Sequence, residues 1–224
     1  MQPPSDDKIL ESWHANAKAW TEAVRAKQIE SRRLVTDRAI LEAILFEPIQ
    51  SAIDIGCGEG WLVRELYDRG IAATGIDAVP ALVEAARQQG RGHYHCMSYG
   101  ELAETGLAQA FDVAVCNFSL LGKESVSGLI DCIPSLLDAG GRCIVQTLNP
   151  NVERDTANYK DGWRPGSWDG FGSQFTDPAP WYFRTLETWL ALFDHSGLDM
   201  VNIVEPTHPT TGLSSSIVFI AKLR

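Results

Sequence analysis

The segment Ile53-Asp54-Ile55-Gly56-Cys57-Gly58-Glu59-Gly60 places three glycines at alternate positions, with a carboxylate two residues ahead of the first. Glycine lets a backbone turn through left-handed conformations and lets a ligand approach without a Cβ in the way. A short apolar run, Ser51 to Ile55, leads into the loop, and a helical pattern leaves it. Open α/β sheets bind ligands at such places, beyond the carboxyl ends of their strands. A dinucleotide asks for Gly-x-Gly-x-x-Gly, with a helix N-terminus facing the pyrophosphate. Here the third glycine, Gly60, comes one position early and the bulky Trp61 stands where it is needed. Glu59 adds negative charge where phosphates would lie. Asp54 is costly at a strand end unless it is paired or hydrogen-bonded. It suits orienting the loop amides or holding a cationic amino group.

S-adenosylmethionine carries an ammonium and a sulfonium, which suits an acidic cleft. The segment resembles the first motif of the class I S-adenosylmethionine-dependent methyltransferases, apolar-Asp-apolar-Gly-x-Gly-x-Gly. By motif the resemblance covers Ser51 to Leu148, and by strand pattern it reaches the C-terminus. It implies cofactor contacts from Asp54, Gly56, Cys57, Gly58, Gly60 and Trp61. Asp77 matches the family's acid for the ribose hydroxyls, and it follows Gly56 by 21 residues, close to the spacing of roughly 20 expected for such an acid. Ala78 stands next to it. The family often carries an acid after the third strand, at the adenine amine. This chain departs from that pattern with Cys96-Met97-Ser98-Tyr99, which leaves the ring to Met97 packing and to Ser98 or backbone hydrogen bonds. After the fourth strand, Asn117-Phe118 holds the position that lies along the methionine moiety and the acceptor.

Methyl transfer is an in-line displacement on an activated cofactor, so positioning does much of the work. A general base is needed only for a nucleophile that arrives protonated. No residue declares itself as that base. His208, in a loop between Pro206 and Pro209, and Tyr182 are the candidates. His195 reads as a helix-end cation, and one of His93 and His95 is expected to face solvent while the other packs. The stretch from Asn149 to Phe183 holds eight of the 20 aromatic residues. Its place, before the helix that follows the fifth strand, is usual for a substrate lid in small-molecule methyltransferases. Trp163, Trp168, Phe171, Trp181 and Tyr182 are expected to wall a largely apolar pocket. Trp181-Tyr182-Phe183-Arg184-Thr185-Leu186 resembles a stretch in quinone and other small-molecule methyltransferases, which implies that Tyr182 and Arg184 reach the acceptor, Arg184 meeting an acidic or phenolate group.

The elements needed to hold these residues follow from periodicity. Lys8 to Gln28 and Leu34 to Phe46 read as helices, with apolar residues three and four apart. Strands are expected at 51–55, 71–76, 92–97, 111–116 and 141–148, with helices at 61–69, 81–89 and 125–137, the last interrupted or ended by Pro134. A helix from Thr185 to His195 and strands at 198–204 and 215–222 close the chain. Alternation at this spacing predicts an α/β fold: a Rossmann-like, seven-stranded, mostly parallel sheet with helices on both faces. N-terminal helices and the aromatic-rich insertion are added to it. We expect one domain over 1–224, with a helical cover at 1–47, a cofactor-binding core at 51–148, a lid at 149–184 and closing elements at 185–224. From Trp13 through Arg33 the chain resembles the leader of bacterial small-molecule methyltransferases of unassigned substrate. In related enzymes such helices cover the cofactor, so Trp13, Trp20, Arg25, Ser31 and Arg32 are candidates there, with Arg25 or Arg32 for the methionine carboxylate.

Bulk properties limit the partners. A formal charge of −10 lacks the basic footprint of nucleic-acid binding and disfavours anionic lipid. Asn117-Phe118-Ser119-Leu120 lacks the prolines of amino-methylating nucleic-acid enzymes. The polar, acidic start is no signal peptide, and no apolar run approaches the roughly 20 residues that span a bilayer. Five scattered cysteines without a Cys-x-x-Cys pair suit reduced thiols in a cytoplasm and predict no metal site. The expected reaction is methyl transfer from S-adenosylmethionine, giving S-adenosylhomocysteine, to a small molecule whose identity and methylated atom stay open, as does the oligomeric state. A non-catalytic cofactor-binding module and a nicotinamide-dependent oxidoreductase are the alternatives.

Overall fold

The computed structural model describes residues 3–214 and 216–224; Met1, Gln2 and Ser215, the expected start of the last strand, lie outside the described residues. Five parallel strands come first: β1 (Ser51–Ile55), β2 (Ala72–Asp77), β3 (His93–Cys96), β4 (Phe111–Asn117) and β5 (Leu137–Leu148). A two-stranded ribbon, β6 (Gly162–Arg164) and β7 (Trp181–Phe183), stands apart, and β8 (Leu198–Val204) and β9 (Ser216–Leu223) close the main sheet. The sheet order is β3-β2-β1-β4-β5-β9-β8, with β9 antiparallel to both its neighbours. The chain builds outward from β1 to β3, then reverses and builds from β4 the other way. The reversal leaves a crevice between the ends of β1 and β4, where open α/β sheets take their ligands.

Among the described residues seven α-helices support it: α1 (Asp6–Arg25), α2 (Asp37–Ile44), α3 (Trp61–Tyr67), α4 (Pro80–Gln88), α5 (Tyr99–Thr105), α6 (Glu124–Cys132) and α7 (Leu186–His195). Strand residues alternate between two cores. Ile53, Ala114, Cys116, Val145 and Phe219 face one, and Ala52, Val113, Val115, Ile144 and Val218 face the other. Burial on both sides explains why these strands read as unbroken apolar runs.

Several boundaries differ from the expectations, each for a local reason. The second helix begins with a π turn, Arg32–Thr36, before α2. Pro134 ends α6 at Cys132, and a 3-10 turn, Ile133–Leu136, follows. The unexpected α5 is set by a capping box, in which Ser98 and Glu101 satisfy each other's backbone. The aromatic stretch is not featureless, since β6 and β7 pair across it. His93 and His95 are both exposed, while Tyr94 between them packs. No helix among the described residues is long and apolar enough to cross a membrane.

Candidate active site

The loop after β1 is fixed by its own glycines. Gly56, Gly58 and Gly60 all take positive φ, at 79°, 56° and 82°. A Cβ on Gly56 would stand 2.3 Å from the Ser119 Cβ, and one on Gly60 2.7 Å from the Tyr94 ring. The amides of Gly56 and Cys57 donate to the Ile76 carbonyl at 2.8 and 2.9 Å, tying the loop to the end of β2. Asp77, the last residue of β2, accepts from the Gly58 amide and from the Val79 amide, both at 2.9 Å. Burial holds its carboxyl above the usual range, although these two bonds and the charge of His14 pull it down.

Asp54 lies beneath the loop and is 3% exposed. Burial, and then the neighbouring Asp77 charge, pushes its carboxyl up to about 7, against the pull of Arg32. Its Oδ1 has no hydrogen-bond partner, and neither does the buried Oδ1 of Asn117 at the end of β4. Phe118 follows at φ 54°, a left-handed conformation that a bulky side chain adopts only under constraint. Its amide donates to the Gln146 carbonyl at 2.8 Å. Ser119 Oγ donates to the Ile55 carbonyl at 2.6 Å, and the Tyr99 hydroxyl donates to the Ser119 carbonyl at 2.9 Å. These bonds lock the ends of β1 and β4 and the start of α5 together.

A cavity of about 300 Å³ opens between them, within the size range of small-molecule sites. Gly56, Gly58, Asp77, Ala78, Ser98, Asn117 and Phe118 all line it. The remaining expected contacts stand behind this wall. Asp54 underlies the glycine loop, and the Cys57 side chain is buried, its thiol held well above the ordinary range by burial. Gly60 caps α3. Trp61 turns outward, under the guanidinium of Arg32 at 4.6 Å. Met97 packs into the core below α5. Sequence reasoning missed Tyr99 and Ser119, whose signals are long-range contacts, and the α1 residues Asp6, Asp7, Ile9 and Leu10, which also line the cavity. The face of α1 at 6, 9, 10, 13 and 20 carries its usual helical spacing.

Helix α1 spans the crevice as its outer wall. Asp6 accepts from the amides of Lys123 and Ser125 at 2.8 and 2.7 Å, capping α6 from a distance in sequence. Asn16 exchanges hydrogen bonds with the Thr176 backbone at 2.7 and 2.9 Å. At its far end Arg25 pairs with Glu59 at 3.1 Å, and Glu59 also pairs with Arg64 at 2.7 Å. Trp13 and Trp20 face the cavity. Arg25 and Arg32 are held elsewhere, Arg32 by Asp37 at 2.9 Å, and Ser31 leads into the π turn.

The expected lid residues divide into two groups, neither of which lines this cavity. Trp168 and Phe171 pack on Phe175 and on the outer side of α1, with Trp168 5.9 Å from Trp13. Trp181, Tyr182 and Arg184 line a second cavity of about 230 Å³ under the β6–β7 ribbon, and Trp163 packs edge-on against Tyr182. Gly122, whose carbonyl accepts from Arg184, lines the first cavity, so the loop after β4 separates the two. His208 lies in the β8–β9 turn, where its Nδ1 accepts from the amides of Thr210 and Thr211. Among the described residues no cluster of His, Cys, Asp or Glu is arranged to hold a metal.

A family model described as a methyltransferase domain matches residues 25–203. The ubiquinone biosynthesis O-methyltransferase of Idiomarina loihiensis is 29% identical over 126 residues, covering 52% of this chain and 51% of that protein. The same-named protein of Xylella fastidiosa is 34% identical over 101 residues, covering 43% and 41%. The chain thus spans about half the length of the curated relatives it matches. Among solved structures, a magnesium protoporphyrin IX methyltransferase from Synechocystis with bound S-adenosylmethionine superposes with a TM-score of 0.64 at 16% identity, over 100% of both chains. An S-adenosylmethionine-dependent methyltransferase from Clostridium acetobutylicum superposes at 0.65 and 14% identity, over 92% and 97%. At these identities the structural likeness speaks for the fold.

Proposed function

The chain belongs to the methyltransferase-domain family, and on that footing we propose that it transfers the methyl group of S-adenosylmethionine to a small molecule. The observation that carries this reading is the orphaned acceptor Asn117 Oδ1, which shares the wall of the cavity at the switch point with the Asp77 carboxylate. A buried acceptor without a donor is unfavourable. S-adenosylmethionine brings an ammonium, two ribose hydroxyls and an adenine amine, so the donors a ligand must supply match what the cleft lacks. When bound, the cofactor supplies an electrophilic methyl group on a sulfonium.

The chain's own residues then bind and orient. Asp77 would accept the ribose hydroxyls with the lone pairs that Gly58 and Val79 leave free. Gly58 keeps the approach open, since a Cβ there would only touch Trp20, at 3.4 Å. Ser98, Tyr99 and Phe118 are placed to border the adenosine, and Asn117 the methionine side. Helix α1 excludes water from above. Alignment of nucleophile and methyl can supply roughly 7–11 kcal/mol without any proton transfer. The curated relatives are named as O-methyltransferases, which favours an oxygen nucleophile. Helix α1 serves as the cover and 149–184 as its brace and as the roof of the second cavity, and the scattered, unpaired cysteines favour a cytoplasm.

Calorimetric titration with S-adenosylmethionine, S-adenosylhomocysteine and NAD tests the reading. Micromolar binding of the first two, lost in Asp77→Ala, is the expected result. Binding of NAD alone would move the chain to the oxidoreductases, and binding of the cofactor without turnover on any acceptor would favour a sensor module.

A further inference from the structure

The second cavity holds two charged groups that its own surroundings leave incompletely satisfied. Arg184 is 4% exposed, yet the acids that bear on it, Asp161, Asp6 and Glu124, act only through space. Its guanidinium lies between the rings of Tyr182 and Trp189, at 5.0 and 5.1 Å. Two of its five N–H donors go to backbone carbonyls, those of Gly122 and Lys123, at 2.9 and 2.7 Å. Buried charges are ordinarily paired or bound to a counter-charge, and here no ion pair forms among the described residues. On the same cavity lies Glu153. Its Oε2 is buried without a hydrogen-bond partner and sits 3.9 Å from Arg164, too far for one. A cationic donor fork and an orphaned carboxylate oxygen thus share a pocket whose other walls are aromatic and aliphatic except for Thr147 and Asn149.

From this arrangement we infer that the cavity under the ribbon binds a small aromatic molecule carrying an anionic group for Arg184 and a hydroxyl or amino donor for Glu153. Arginine suits the first task, because its planar fork matches a carboxylate in two directions and it stacks on aromatic faces. The loop that separates it from the first cavity carries Asn117 to Ser119 on one side and Leu120 and Leu121 on the other, so a ligand here lies beside the cofactor cavity rather than in it.

Calorimetry on the full chain provides the test, with three probes of matched shape: 4-hydroxyphenylacetate, phenylacetate and 4-ethylphenol. Each is titrated with and without saturating S-adenosylhomocysteine. We expect 4-hydroxyphenylacetate to bind at least tenfold more tightly than 4-ethylphenol, which lacks the carboxylate, and several-fold more tightly than phenylacetate, which lacks the hydroxyl. Glu153→Leu should abolish the second difference and keep the first. Equal binding of 4-ethylphenol and 4-hydroxyphenylacetate, or no binding of either carboxylate, would overturn the inference. The wild-type comparison does not depend on an Arg184 variant folding. If S-adenosylhomocysteine fails to bind, the methyl-transfer reading falls while the probe ranking still decides the pocket's chemistry.

Discussion

At the scale of the residue, the site is built around acids held where acids are unfavourable. Asp54 has a folded-state value of about 7, above the ordinary 3.8. The unfolded chain therefore ionises first as pH rises. This group's contribution to stability is full below about pH 4, declines with rising pH and is gone above about 7, a loss of at most about 4 kcal/mol. Urea denaturation of Asp54→Asn and the parent at pH 5 and pH 8 should show the gap moving in favour of the variant at the higher pH. A gap that stays constant would place Asp54 among ordinary carboxylates. Gly60→Ala should cost about 2 kcal/mol or more, because it meets both the Tyr94 ring and a left-handed backbone; its thermal midpoint is the measurement. Asp54, the glycines and Asp77 were legible in the sequence because local backbone geometry dictates them. Tyr99 and Ser119 were not, since their role is a hydrogen bond across 20 residues.

At the scale of the element, helix α1 and the aromatic stretch act together. The load of aromatic rings was legible and so was its place in the chain, but the destination of the rings was not. Strands of three residues such as β6 and β7 leave too short a pattern to read, and packing on α1 depends on contacts more than 140 residues apart in sequence, as Trp13–Trp168 illustrates. Trp168 braces α1 rather than lining the cavity. Trp168→Ala should therefore cost about 3 kcal/mol in stability and weaken S-adenosylhomocysteine binding as well. A raised acceptor KM with unchanged cofactor affinity would instead assign the ring to the acceptor. Asp6→Ala removes a cap from α6, worth about 1 kcal/mol, and should loosen α1 at its start. Hydrogen exchange at Ser125 and along α1 would report both effects. The capping box of α5, Ser98 with Glu101, went unread because the helix is only seven residues long and its apolar period is faint.

At the scale of the molecule, alternation of strand and helix conveyed the parallel sheet. It did not convey the order β3-β2-β1-β4-β5-β9-β8, which rests on pairings between distant segments. The order matters because it opens the crevice between β1 and β4. A ligand seated there bridges both halves of the sheet and stabilises only the folded state. At a hundred times its dissociation constant S-adenosylhomocysteine should add about 2.7 kcal/mol, seen as a higher melting temperature that Asp77→Ala lacks.

The span of α1 has one more consequence. The helix joins α2, and through it the sheet, by way of residues 26–36, and Lys27 there is exposed with φ 53°. In thermodynamic terms α1 is a second ligand of the crevice, carried on a short tether that sets an effective concentration in the millimolar range. Whatever the cofactor gains from α1, α1 gains from the cofactor by the same factor. A single tryptic cut after Lys27 would leave the contacts of α1 with the crevice in place and remove the tether. Cofactor retention, independent of dilution in the intact chain, would then fall as the protein is diluted.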